Sequence, residues 1–146
     1  MTNAPEDFRT MLYQSAKKEI IMCAFFSTNQ IKRLILPENC TLYGALVYGV
    51  NAVYLPKHSP SIASNWVSQT YSSSGHVVKC PPGADVPYYL NRLPAMTAED
   101  IVGIFENMID RSGETTVATI TLGSDNLAKL TDEQIAIAEA KGWNLA

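Results

Sequence analysis

The chain has 146 residues, of which 47% are hydrophobic and 17% charged. That length and apolar content suit one domain with a buried core, and the low charge argues against a disordered chain or a charge-driven partner. A net charge of −3 argues against sequence-blind nucleic-acid binding, which needs clustered cations; Lys17-Lys18 and Lys32-Arg33 read as solvated faces.

In chain order, the first predicted element is a helix from about Ala4 to Met22. Phe8, Met11, Leu12, Ala16 and Ile20 share one of its faces, and Pro5 fits a first turn. It would cap the open edge of whatever sheet follows. The longest apolar run, "IIMCAFF" at Ile20 to Phe26, falls short of the roughly 20 residues that cross a bilayer. The opening residues "MTNAPEDFRT" lack the basic start and apolar stretch of an export signal, so the expected compartment is the cytoplasm in which the chain is made.

Five short segments then carry two apolar residues at i and i+2, which places both on one face of a strand. They are "RLILP" with Leu34 and Leu36, "AVYLP" with Val53 and Leu55, "VVKCP" with Val78 and Cys80, "TITLG" with Ile120 and Leu122, and "WNLA" with Trp143 and Leu145. The first four stop on Pro or Gly, which ends ladder pairing. Leu36 to Leu55 is 19 residues, Leu55 to Cys80 is 25 and Leu122 to Leu145 is 23; the 42 from Cys80 to Leu122 is read as two turns of 21. Periods of about 20 to 29 with an apolar-x-apolar strand per unit mark a leucine-rich-repeat solenoid, in which stacking supplies the core that no unit has alone. The alternative is another α/β sandwich.

The connecting segments are read as follows. Ser59 to Gly75 is small and polar, a loop with one helical turn near Ile62 to Gln69. A helix starts at Thr97, with Asp100 three residues on, carries Ile101, Ile104, Phe105, Met108 and Ile109 on one stripe, and ends at Gly113. "GSDN" at Gly123 to Asn126 is a turn. The last helix has a capping box of Thr131 and Gln134, a hydrophobic staple of Leu130 on Ile135, and Gly142 as its stop. The expected fold class is therefore α/β: an irregular leucine-rich-repeat-like solenoid of short parallel strands and crossover helices. Residues 1–30 form the helical cap, 31–82 the irregular repeats and 83–146 the helix–strand repeats.

Two segments carry a family resemblance. "IKRLILPENCTLYGALVYGVNAVYLPK" resembles the surface-antigen class of leucine-rich repeats, abundant in gut bacteria, over residues 31–82. "ATITLGSDNLAKLTDEQIAIAEAKGWNLA" is similar to a closing module of virion proteins from phages of gut bacteria and of related bacterial surface proteins, over residues 93–146. The resemblance implies a non-catalytic structural or binding component of a virion, such as a decoration, tail or fibre subunit. Its partners would be other virion proteins or a host-surface receptor, and it would act as a homo-oligomer. The alternative it implies is an adhesion module of a bacterial surface protein.

No catalytic motif of the GxSxG, GxGxxG, P-loop or HExxH kind is present, so neither an enzyme nor a cofactor is expected. Cys23, Cys40 and Cys80 form no CxxC pair and are not spaced with His58 and His76 as zinc ligands, so no metal is expected and the cysteines read as reduced, half-buried thiols. His58, His76 and Asp125 are the residues on which an enzyme reading would rest. The better lead is aromatic. If Val53 and Leu55 face the core, Tyr54 between them faces outward, flanked on neighbouring strands by Arg33, Ile35 and Lys79. These four and Trp66 form the candidate binding face, because Tyr, Trp and Arg are favoured in protein contacts.

Overall fold

The structure, a computed structural model, describes residues 19–20, 31–35, 41–42, 50–59 and 76–146. Among the described residues the strands are β1 (Glu19–Ile20), β2 (Ile31–Ile35), β3 (Thr41–Leu42), β4 (Val50–Tyr54), β5 (His76–Lys79), β6 (Ala118–Ile120) and β7 (Trp143–Leu145). The helices among them are α1 (Ala98–Asn107), α2 (Ser124–Leu127) and α3 (Asp132–Ala140). The helix expected over 4–22 is corrected at Glu19–Ile20, which is strand. Ile20 opens the continuous apolar run "IIMCAFF", and unbroken runs with β-branched residues suit a parallel strand. The rest of that helix, and the helical turn near 62–69, lie outside the described residues.

Every strand pairing among the described residues is parallel. β1 lies beside β3, β4 sits between β2 and β5, and β6 lies beside β7. Single parallel bridges join Ala84 to Met108 and Tyr89 to Thr121. Residues in register, Leu34 with Val53, Val53 with Val77, Ala84 with Met108 and Ile120 with Leu145, lie 19, 24, 24 and 25 positions apart. Parallel neighbours cannot be joined by a tight turn, so each pair needs a crossover. α1 supplies it between Ala84 and Met108, and α3 between β6 and β7.

The expected two turns between Cys80 and Leu122 are corrected to one, through α1. The surplus length is an extended stretch at 84–90. Ala84, Val86, Tyr88 and Leu90 are buried there, while Asp85, Pro87 and Tyr89 between them are not. That alternation is the period of a strand. The next pass carries its own surplus. Ala84 and Tyr89 are five residues apart, but their partners Met108 and Thr121 are thirteen apart. Most of the excess of eight is the exposed loop at 112–117, where Val117 is 64% exposed.

α1 and α3 start alike. Thr97 Oγ1 accepts from Asp100 N at 3.1 Å and Asp100 Oδ2 accepts from Thr97 N at 3.1 Å; Thr131 Oγ1 accepts from Gln134 N at 3.3 Å and Gln134 Oε1 from Thr131 N at 3.0 Å. Both boxes satisfy two first-turn donors each. They stand 34 residues apart in a shared pattern, "LPAMTAEDI" from Leu93 and "LAKLTDEQI" from Leu127. Leu93, Met96 and Ile101 of the first are buried, while Leu127, Leu130 and Ile135 of the second are half-buried.

α1 stops at Asn107, not at the expected Gly113. Asn107 O accepts from Gly83 N at 2.8 Å and Ile109 N donates to Ala84 O at 3.0 Å. Pairing with the preceding extended stretch thus replaces two more helical turns. The stripe of Ile101, Ile104 and Phe105 is buried as expected, and Met108 is buried from extended backbone. Lys141 Nζ then closes the helix end, donating to Phe105 O at 2.9 Å, Glu106 O at 2.6 Å and Met108 O at 3.0 Å. A cation suits this negative terminus.

Candidate binding face and the clasp beside it

Four of the residues expected to form a binding face, Arg33, Ile35, Tyr54 and Lys79, fall on β2, β4 and β5. Ile35 is in register with Tyr54, and Tyr54 with Lys79, so three successive strands bring these positions side by side. Arg33 is in register with Ala52, two positions before that row. The register shifts between Val53 and Tyr54, at the point where the row is formed. Val53 and Leu55 are buried at 0% and 4% exposure, and Tyr54 between them is half-buried. Trp66 lies outside the described residues.

A second constellation, with no counterpart among the sequence-based expectations, ties three passes of the chain together. Arg111 Nε donates to Asp85 Oδ1 at 2.9 Å, and Nη2 also bonds that oxygen. Arg111 Nη1 donates to Glu114 Oε2 at 2.6 Å, and the guanidinium lies 4.9 Å from the centre of the Trp143 ring. Trp143 is buried, and its Nε1 donates to Ile109 O at 2.9 Å. Asp85, Arg111 and Trp143 come from consecutive passes, with no fixed local spacing between them. Only their common pattern of register would have pointed to the cluster.

Asn126, expected in a turn, is the buried polar residue of this region. It is 1% exposed, and its Nδ2 donates to Leu90 O at 3.1 Å, Leu122 O at 3.2 Å and Leu93 O at 3.4 Å. Its Oδ1 accepts from Lys129 Nζ at 2.9 Å, and Lys129 also donates to Pro94 O at 2.6 Å and Met96 O at 2.7 Å. The pair satisfies carbonyls left by the turn at 91–96, as buried polar groups require.

The remaining chemistry-bearing residues are dispersed. Cys80 is fully buried rather than half-buried, with Sγ 3.7 Å from Tyr88 Oη, which itself donates to Pro56 O at 2.6 Å. Cys23 and Cys40 lie outside the described residues. His58 is exposed in the segment after β4, His76 opens β5 and Asp125 is exposed in α2. Among the described residues no group of three or more His, Cys, Asp and Glu is placed to hold a metal ion. Asp110 is held below the ordinary carboxylate range by the Ser112 hydroxyl and backbone N–H, and Glu133 by its own backbone N–H and the Thr131 side chain. Both roles are those of exposed turn and cap residues.

No helix among the described residues is long and apolar enough to cross a membrane. No protein-family model, curated protein or solved structure matches the chain.

Proposed function

We propose that this chain is a non-catalytic structural or binding component of a bacteriophage virion, a decoration, tail or fibre subunit that works as a homo-oligomer. In this reading the parallel pairings belong to one irregular leucine-rich-repeat-like solenoid, and the strand row carries the contact with a virion protein or host-surface receptor. The observation that carries the binding role is the row of Ile35, Tyr54 and Lys79 across three parallel strands. Adjacent strands lie about 4.8 Å apart, so such a row offers a continuous strip rather than isolated residues. The likeness of the C-terminal segment to a virion closing module supports the place of action. The "LxLP" strands support the alternative, an adhesion module of a bacterial surface protein.

The test is co-sedimentation of the purified protein with phage particles, together with a pull-down of virion proteins. Association, weakened about 5- to 30-fold by Tyr54→Ala as expected for a contact worth about 1–2 kcal/mol, supports the proposal. Failure to associate with particles or virion proteins overturns it. Binding to bacterial cells alone favours the adhesion module.

A further inference from the structure

We draw no further inference here: the strongest candidate, the partly exposed apolar side chains at Leu127, Leu130, Ile135 and Leu145 of residues 124–145, carries nothing because three of them pack against the core and nothing in the structure shows what covers the rest.

Discussion

Replacing Gly142 by Ala tests the way successive passes lie against each other. Gly142 sits at φ +77°, and a Cβ there would stand 2.7 Å from Arg111 C and O and 2.8 Å from Ser112 N. The left-handed backbone alone costs an alanine about 1–2 kcal/mol. The clash is with main chain, so Arg111 must move. That strains the bond from Arg111 N to Lys141 O at 2.7 Å, worth about 1 kcal/mol. It also disturbs the guanidinium over Trp143, worth about 1 kcal/mol. The expected loss is about 3–4 kcal/mol, or a melting temperature lower by about 6–16 °C for a domain of this size. Gly103 supplies the contrast. It lies inside α1, where an added Cβ would meet no atom within 4 Å, so Gly103→Ala stabilises by about 0.5–1 kcal/mol through helix propensity. Urea unfolding followed by far-UV circular dichroism measures both. A Gly142→Ala loss below about 1 kcal/mol would refute the close approach of these two passes.

Two further outcomes are expected. Asn126→Ala removes the side-chain donor to Leu90, Leu93 and Leu122 O and the acceptor of Lys129 Nζ, while Leu90 O and Leu93 O keep the backbone donors Leu93 N and Met96 N; it costs about 1–3 kcal/mol in the same assay, whereas Asp125→Ala beside it, exposed, changes stability by less than about 0.5 kcal/mol. Glu133 has a lowered folded pKa, so its contribution is present above the ordinary glutamate range and is lost as pH falls through it toward the folded value. The stability gap between the natural chain and Glu133→Gln therefore narrows on going from about pH 6 to about pH 3, and a gap that is constant or widens contradicts the bonds of the Glu133 carboxylate to its own backbone N–H and to the Thr131 side chain.

What is legible in the sequence is what is decided locally. Thr97, Thr131 and Gly142 mark helix ends through bonds that span three or four residues, and they sit where the sequence puts them. The apolar-x-apolar pairs mark β2, β4, β5, β6 and β7, because a strand face is a period-two pattern. The stretch at 84–90 is hidden because Pro81, Pro82, Gly83 and Pro87 read as loop, although a proline is tolerated where no ladder donor is needed. The end of α1 differs from its expected place because pairing of Ile109 with Ala84 outweighs the helical stripe that Met108 and Ile109 would continue. At the candidate site, alternation around Tyr54 is enough to single it out. Its alignment with Ile35 and Lys79 depends on register, and the Asp85–Arg111–Trp143 clasp depends on three passes meeting, so neither has a local signature.

The most direct test of the stacked arrangement is NMR of backbone contacts between passes. The account predicts amide-to-α-proton contacts of the parallel pattern at Leu34–Val53, Val53–Val77, Ala84–Met108 and Ile120–Leu145. Close α-proton to α-proton contacts, which belong to antiparallel neighbours, or no contact at these pairs would contradict it.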